Sequence, residues 1–153
     1  MPGALVAAFS YDTKVLLERY VPGRDLAVSV LDSPDGPQAL PVVEAIPMQE
    51  DFYDFEARYE IGRTQFVCPA DLSPELSARA QELALATWRV LGCAGFARVD
   101  LMTDGDDLTV IEANAIPGLT DTSLLPLAAD AAGIQFDAFV ARVLDLAVAR
   151  AAA

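Results

Sequence analysis

The segment that decides the fold is GFARVDLMTDGDDLTVIEANAIPGLTDTSLLP, residues 95–126. Within it, residues 95–103 and 108–115 alternate apolar and polar side chains, as strands buried on one face do. The turn sequence DGDD at residues 104–107 lies between them. This pattern predicts an antiparallel β-hairpin.

The polar face of this hairpin carries the residues of greatest chemical interest. The apolar face is predicted to hold Ala97, Val99, Leu101, Ile111 and Ala113. Matching these apolar positions across the hairpin brings four polar side chains together on the other face: Arg98, Asp100, Glu112 and Asn114. A three- or five-residue loop centred on Asp106 would set Asp100 opposite Glu112 and Arg98 opposite Asn114.

Two carboxylates and an amide carbonyl on adjacent strands form a set of hard oxygen ligands suited to Mg²⁺. Arg98 beside them is suited to stabilising charge on a phosphoryl group that is being transferred. The loop that follows contains Pro117 and Gly118, and Ser123 then opens a helix, which is a typical anion site. The alternative interpretation of the pattern alone is a solvated hairpin face, where polar residues alternate by default.

Three helices are predicted in the second half of the chain. In the first, residues 73–91, Ser73 provides the N-cap, Pro74 occupies the first turn and Gly92 ends the helix. Its apolar stripe is predicted to hold Leu76, Ala80, Leu83, Ala84 and Leu91. Two closing helices are predicted over residues 124–132 and 136–149. The stripe of the last helix is predicted to hold Phe136, Phe139, Val140, Val143 and Ala147.

The first half of the chain predicts a short helix and three strands. Residues 3–9 are typical of a short apolar helix. Residues 14–21 and 25–31 are strand-like and flank a Pro-Gly turn, which predicts a second hairpin. Residues 39–48 predict a third strand, and residues 49–68 a long loop. Hairpins with separate helices indicate an α+β fold with a largely antiparallel sheet and flanking helices.

Composition excludes several classes of function. The chain has 153 residues, about one domain, and a net charge of −13, which disfavours nucleic acids and anionic membrane surfaces. Because it has no histidine, His-dependent triads and His-ligated metal sites are excluded. Two cysteines without a CxxC motif and no apolar run of membrane-spanning length predict a cytoplasmic protein that does not contact membranes.

Residues 95–126 resemble the C-terminal signature of the D-alanine–D-alanine ligases, enzymes with the ATP-grasp fold. Four upstream segments match that family in order: VLLERYVPGRDLAVSVL (15–31), ALPVVEAIP (39–47), FYDFEARY (52–59) and CPADL (68–72). The resemblance covers nearly the whole chain. It implies a single C-terminal ATP-grasp domain over residues 1–153 and an ATP-dependent ligation of two D-alanines through an acyl phosphate, which supplies a peptidoglycan precursor.

The resemblance also implies roles for individual residues. Asp100, Glu112 and Asn114 match ligands of two Mg²⁺ ions, for which Mn²⁺ could substitute. The positions near the reacting centre and the second D-alanine are matched by Arg98, Gly118, Ser123, Leu124 and Tyr59, of which Ser123 and Leu124 match contacts to its carboxylate. The ATP-binding positions are matched by Glu18, Arg19, Val21, Asp25, Phe52, Arg58 and Met102.

A complete ligase of this family also has an N-terminal domain and a central segment with phosphate-binding lysines and a lid. Neither is expected in this chain, whose single lysine, Lys14, matches no functional position. The chain alone is therefore expected to be inactive and to form a homodimer or pair with an upstream polypeptide. Two alternatives stay open: a catalytically incomplete module that binds nucleotide, Mg²⁺ or a partner, and a ligase for D-lactate or for natural-product dipeptides.

Overall fold

An antiparallel sheet with helices on both faces forms the described part of the protein, in a computed structural model that describes residues 2–48, 62–120 and 123–152. The helices are α1 (Pro2–Phe9), α2 (Pro74–Leu91), α3 (Leu124–Ala131) and α4 (Phe136–Ala151). The strands are β1 (Arg24–Leu31), β2 (Gln38–Ala39), β3 (Val43–Pro47), β4 (Thr64–Val67), β5 (Phe96–Asp104) and β6 (Asp107–Asn114). The strand order is β4-β3-β1-β5-β6, and β2 also pairs with β1. The predicted α+β class with a largely antiparallel sheet is confirmed.

The two faces of the sheet are buried in two separate clusters. Alternate residues of β1 divide between them, because successive side chains of a strand point to opposite faces. Leu26, Val28 and Val30 pack with α2, whereas Ala27 and Leu31 pack with α3 and Phe139 of α4. The sheet is therefore covered by α2 on one face and by α3 and α4 on the other.

Helix α2 begins and ends where the sequence predicts. The Ser73 side chain accepts a hydrogen bond from the backbone N–H of Leu76 at 3.1 Å, and Gly92 follows the helix in the left-handed conformation. The buried stripe is corrected at one end: Trp88 is buried, whereas Leu91 is exposed. The buried residues Leu76, Ala80, Ala84 and Trp88 follow one another at intervals of four, so they form one stripe along the helix. Leu91 lies beside this stripe and faces solvent.

The β5–β6 hairpin has the predicted pairing, but its turn is shorter than predicted. Asp104 pairs with Asp107, so the loop contains two residues, Gly105 and Asp106. The register then shifts between Asp100 and Leu101, because Leu101 pairs with Val110 and Asp100 pairs with Glu112. The extra residue is Ile111, which is half exposed instead of lying on the apolar face with Ala113. This β-bulge restores the register that the short turn would otherwise offset by one residue.

The predicted N-terminal hairpin is wrong. Residues 14–21 form no strand, and β1 begins only at Arg24. Both edges of β1 are already occupied: β5 pairs along all eight residues on one edge, and β2 and β3 share the other. A strand-like segment before β1 therefore has no edge of β1 to pair with.

Three smaller predictions are also corrected. The predicted loop over residues 49–68 contains strand β4, whose four residues pair with β3. The predicted strand over residues 39–48 is divided at Pro41 into β2 and β3, since proline cannot donate a ladder hydrogen bond. Of the predicted α4 stripe only Phe139 is fully buried, whereas Phe136 and Val140 are exposed because α3 covers only part of the helix.

Candidate functional site

A cavity of about 500 Å³ opens on the α3 side of the sheet, beside the beginning of β1. It gathers residues from six elements: the segment before β1, the strands β1, β3, β5 and β6, and the first residue of α3. Eight of the sequence-predicted site residues line it: Glu18, Arg19, Val21, Asp25, Asp100, Met102, Glu112 and Leu124.

Strand register explains how these residues meet. Asp25 pairs with Met102 and Ala27 with Asp100 across β1 and β5, and Asp100 pairs with Glu112 across β5 and β6. All these side chains share one face, because paired residues in an antiparallel sheet point the same way. Asp25 also pairs with Ala45 of β3. The cavity is therefore floored by three neighbouring strands.

The cavity has further lining residues that the sequence analysis did not assign. Ala27 and Ala45 form its floor, and their short side chains leave space above the sheet. Tyr20 lies between the predicted ATP-binding residues Arg19 and Val21 and lines the same space, so the motif around it could have indicated its position. Ile111 lines it because of the bulge, for which the sequence carries no clear signal.

Arg98 and Asp100 form an ion pair beside the cavity. Arg98 donates from Nε to Asp100 Oδ1 at 2.6 Å and from Nη2 to Oδ2 at 2.8 Å. Both side chains are largely buried, with 10% and 16% of their surface exposed. A bidentate guanidinium–carboxylate contact fixes the plane and direction of both groups. Asp100 is thereby held toward the cavity with its carboxylate already oriented.

Asn114 and Glu112 complete this polar face. Asn114 pairs with Arg98, and its Oδ1 accepts a hydrogen bond from the backbone N–H of Ile116 at 3.0 Å. This contact turns the carbonyl oxygen toward the loop after β6, in the manner of an Asx turn. Within residues 2–48, 62–120 and 123–152, no group of three acidic or cysteine side chains is placed to hold a metal ion. The oxygen donors on this face are two carboxylates, Asp100 and Glu112, and one amide, Asn114.

This donor set fits Mg²⁺. Carboxylate and carbonyl oxygens are the ligands that Mg²⁺ takes in proteins, usually one or two carboxylates with water and phosphate oxygens. Each oxygen of Asp100 and Asn114 that is already hydrogen-bonded keeps a second lone pair for a cation. Asp100, Glu112 and Asn114 are therefore suited to hold a magnesium ion together with a phosphorylated ligand.

The loop between β6 and α3 is organised around Ser123. Its Oγ accepts a hydrogen bond from the backbone N–H of Thr120 at 3.1 Å and lies 2.9 Å from Thr120 Oγ1. Ser123 is the N-cap residue of α3, yet its side chain makes no cap hydrogen bond to the helix. A Cβ on Gly118 would lie 2.6 Å from Ser123 Oγ, so the absence of a side chain at Gly118 lets the loop fold back on the serine.

The remaining predicted site residues fall into two groups. Arg98, Asn114, Gly118 and Ser123 do not line the cavity, although the first two lie on the same sheet face and the others lie in the loop that leads to Leu124. Phe52, Arg58 and Tyr59 lie outside the described residues.

A second ion pair lies on the α2 face of the sheet, opposite the cavity, and was not anticipated from the sequence. Arg24 at the start of β1 donates to both oxygens of Glu44 at 2.6 Å and to the carbonyl oxygen of Asp71 at 2.8 Å. The hydrogen bonds to Glu44 raise the pKa of the Arg24 guanidinium. The pair connects β1, β3 and the segment before α2 on the face opposite Asp25.

Away from this pair, burial raises the pKa of the Cys68 thiol, which disfavours its reactive thiolate form.

Comparison with known proteins gives a consistent result. A family model described as the C-terminus of D-Ala–D-Ala ligase matches residues 1–145. A D-alanine–D-alanine ligase of Synechococcus sp. (strain JA-3-3Ab) is 46% identical over 149 residues, which cover 97% of this chain and 45% of that protein.

Solved structures agree with the sequence match. The D-alanine–D-alanine ligase of Bacillus anthracis superposes with a TM-score of 0.80 at 31% identity, covering 96% of this chain and 46% of that one. The same enzyme complexed with ATP superposes with a TM-score of 0.80 at 29% identity, covering 96% and 45%. The chain thus spans about half the length of the curated relatives it matches.

In the described part, no single helix is long and apolar enough to cross a membrane. Helices α3 and α4 together have the length and composition of a membrane span, but they are bent by 109° relative to each other.

Proposed function

Because this chain belongs to the family of D-alanine–D-alanine ligase C-terminal domains, we propose that residues 1–153 are one such domain and supply part of the site for ATP, Mg²⁺ and D-alanine. The proposed reaction is the ATP-dependent joining of two D-alanines for peptidoglycan synthesis. The observation that supports it best is the convergence of eight separately predicted residues on one cavity. A cytoplasmic location stays a prediction from the sequence.

We assign the nucleotide to the part of the cavity beside β1. Glu18, Arg19 and Val21 would contact the adenine through the segment that leads into the strand. Asp25 would accept hydrogen bonds from the ribose hydroxyls, and Met102, its partner across β5, would cover the base. The short side chains of Ala27 and Ala45 leave the required space.

The phosphate end of the nucleotide is assigned to the polar face of the β5–β6 hairpin. Asp100, Glu112 and Asn114 would hold one or two Mg²⁺ ions, which neutralise phosphate charge when bound. Arg98 would donate to the phosphoryl oxygens, because its guanidinium lies next to Asp100. The Nε and Nη2 groups of Arg98 also orient the Asp100 carboxylate.

The second D-alanine is assigned to the beginning of α3. Ser123 and Leu124 stand at the N-terminus of this helix, where backbone N–H groups attract a carboxylate. The backbone N–H of Gly118 would donate to oxygen at the reacting carbon. These residues therefore bind and orient the second substrate, whereas Arg98 stabilises the charge that develops between the two.

A second candidate function is a binding module without turnover. It is favoured by one observation: Arg98, Gly118 and Ser123, which are predicted near the reacting centre, do not line the cavity. The D-alanine–D-lactate and natural-product dipeptide alternatives are not distinguished by the described residues, since Tyr59 lies outside them.

We expect the chain on its own to make no D-alanyl–D-alanine. Its cavity has an open side, and an acyl phosphate needs a water-excluding site in which both substrates are held in place. The measurement is phosphate release from ATP with and without D-alanine. D-alanine-dependent release at about 1 s⁻¹ or faster, within the usual range for enzymes, would contradict this expectation.

Nucleotide binding tests the proposed function directly. We expect the isolated chain to bind ATP in the presence of Mg²⁺ by isothermal titration calorimetry. Asp25→Asn should weaken binding about tenfold or more, the loss expected for a hydrogen bond to a charged group. Asp145→Asn is the control, because Asp145 is exposed on α4, away from the cavity. If ATP does not bind, or if both variants bind equally well, the assignment is wrong.

A further inference from the structure

Strand β1 contains one buried polar side chain that has no partner. Ser29 is 1% exposed, and among the described residues its Oγ is the only fully buried side-chain oxygen or nitrogen without a hydrogen bond. Burying a hydroxyl in this way is unfavourable, because the hydrogen bonds that it makes to water in the unfolded chain are lost and not replaced. The folded protein therefore keeps a group that lowers its stability.

The strand register places this hydroxyl beside Arg98. Ser29 pairs with Arg98 across β1 and β5, and its backbone oxygen accepts a hydrogen bond from the N–H of Leu40 on the opposite edge of β1. Since both backbone polar groups of a residue in an antiparallel ladder point to the same edge, no backbone hydrogen bond joins Ser29 to Arg98. In such pairs the side chains approach most closely, with about 4.5 Å between the Cα atoms.

The other neighbours of Ser29 on this face of the sheet are apolar. Ala27 and Leu31 flank it along β1, and Leu40 lies beside it on the other edge. All three belong to the apolar cluster under α3 and α4. Among the positions directly adjacent to Ser29 in the sheet, only Arg98 therefore carries a polar side chain. A guanidinium can only donate hydrogen bonds, and a hydroxyl oxygen can accept them.

Arg98 has two sets of acceptors in the proposed site. In the described structure its Nε and Nη2 groups donate to the two oxygens of Asp100. A Mg²⁺ ion on Asp100 would place positive charge next to the guanidinium, and like charges repel. The phosphoryl oxygens assigned to Arg98 would attract the guanidinium in the same direction, away from Asp100.

We propose that Ser29 is a positioning residue for Arg98: its Oγ accepts a hydrogen bond from the guanidinium when Arg98 turns from Asp100 toward the phosphoryl group. The hydroxyl lacks a partner as long as the guanidinium is paired with Asp100, and it gains one when that pair opens. Ser29 does not line the cavity, so it acts through Arg98 and not on the nucleotide. This inference rests on the proposed function and adds a residue to which the family resemblance assigns no role.

The first test compares Ser29→Ala with the loss of a buried hydroxyl that has a partner. Thr103 is 2% exposed, and its Oγ1 donates to the carbonyl oxygen of Gly105 at 3.0 Å. Thr103→Val should lower the Tm in EDTA by about 2–4 °C, since it removes this hydrogen bond. Ser29→Ala should leave the Tm unchanged or raise it by a similar amount. A fall as large as that of Thr103→Val would show that the Ser29 hydroxyl already has a partner, and would overturn the proposal.

The second test opens the Arg98–Asp100 pair by mutation, without nucleotide or metal. Asp100→Ala releases the guanidinium, so in this background Ser29→Ala should lower the Tm in EDTA by about 3–6 °C, the loss of a hydrogen bond to a charged group. The opposite signs in the two backgrounds are the coupling that a double-mutant cycle measures. Thr103→Val should have the same effect in both. If Asp100→Ala does not fold, Asp100→Asn replaces it, because its side chain has one acceptor oxygen instead of two.

Equal effects of Ser29→Ala in the two backgrounds would overturn the proposal. A loss of stability that appears only when Asp100 is present would assign the hydroxyl to the carboxylate and would also overturn it.

The third test measures ligand binding by isothermal titration calorimetry. Ser29→Ala should weaken the binding of Mg²⁺–ATP about tenfold, since Arg98 is assigned to the phosphoryl oxygens. It should leave the binding of adenosine unchanged, because adenine and ribose are assigned to other residues. Thr103→Val, on the opposite face of the sheet, should change neither.

Equal binding of Mg²⁺–ATP by the wild type and Ser29→Ala would overturn the inference and leave the proposed function intact. If the wild type itself does not bind Mg²⁺–ATP, the proposed function fails, and the Tm values in EDTA still decide whether Ser29 and Arg98 are coupled.

Discussion

Gly23→Ala is expected to destabilise the protein much more than Gly36→Ala, although both glycines have a positive φ. Gly23 has φ +128°, and a Cβ there would lie 2.0 Å from the backbone oxygen of Thr103 and 2.7 Å from its carbonyl carbon. Gly36 has φ +109°, and a Cβ there would meet no atom within 4 Å. Gly36→Ala adds only backbone strain, whereas Gly23→Ala also forces the backbone at residue 23 away from the backbone at Thr103.

The expected loss for Gly36→Ala is about 1–2 kcal/mol of unfolding free energy, the cost of an unfavourable φ. For Gly23→Ala we expect about 4 kcal/mol or more, which is a large part of the stability of a typical domain. The measurement is urea unfolding of both variants beside the wild type, with the slope checked for constancy. Equal midpoints for the two variants would show that the chain passes β5 at Gly23 less closely than described.

The same substitution should affect the cavity. Gly23 joins residues 18–21, which line the cavity, to β1, and its close approach to Thr103 sets that segment beside Met102. A variant that still folds should therefore bind ATP more weakly than Gly36→Ala does. Calorimetric titration of both variants separates this local effect from the loss of stability.

Asp100→Asn is expected to have two effects that can be measured separately. It replaces one carboxylate oxygen of the Arg98 pair with an amide and removes the negative charge of Asp100 beside a largely buried guanidinium. Removing one member of such a pair costs about 1–3 kcal/mol when some solvent still reaches it. This loss should appear in EDTA, where no Mg²⁺ contributes.

The second effect concerns the metal. For the wild type, Mg²⁺ at about tenfold its Kd should add about 1.4 kcal/mol, because it binds only the folded state. That gain corresponds to a rise in Tm of about 3–6 °C for a domain of this size. Asp100→Asn and Glu112→Gln should each remove most of this rise. Asp100→Asn should also lower the Tm in EDTA by several degrees.

Asp145→Asn is again the control, since its carboxylate is exposed on α4. A rise in Tm with Mg²⁺ that is the same for the wild type and all three variants would indicate nonspecific screening of the acidic chain. No rise in the wild type would contradict the assignment of Asp100, Glu112 and Asn114 to Mg²⁺.

Local sequence determined the elements whose partners are near in the chain. Helix α2 was predicted to its ends because Ser73 and Gly92 cap it through contacts within a few residues. The pairing of Asp100 with Glu112 was predicted because alternation fixes the face of each side chain. The resemblance of residues 95–126 to the ligase family depended on the same local motifs, and membership of that family is confirmed over residues 1–145.

Tertiary structure alone decided the features that depend on distant partners. The two-residue turn alone would pair Asp100 with Ile111, and the bulge at Ile111 shifts this pairing to Glu112. The sequence of either strand by itself does not predict the bulge, because it depends on which residues the rest of the sheet buries. Trp88 is buried and Leu91 is exposed because the sheet covers only one side of α2. The Arg24–Glu44 pair joins residues that are 20 positions apart.

Residues 14–20 show the division most clearly. Their sequence determined that they are suited to a strand, since propensity is a property of the side chains themselves. Whether a strand forms depends on a free edge with unpaired N–H and C=O groups, because a single strand has no hydrogen-bonding partner of its own. The sheet offers no such edge beside β1, and only the tertiary structure could reveal this, because the edges of β1 are filled by strands that follow it in the chain.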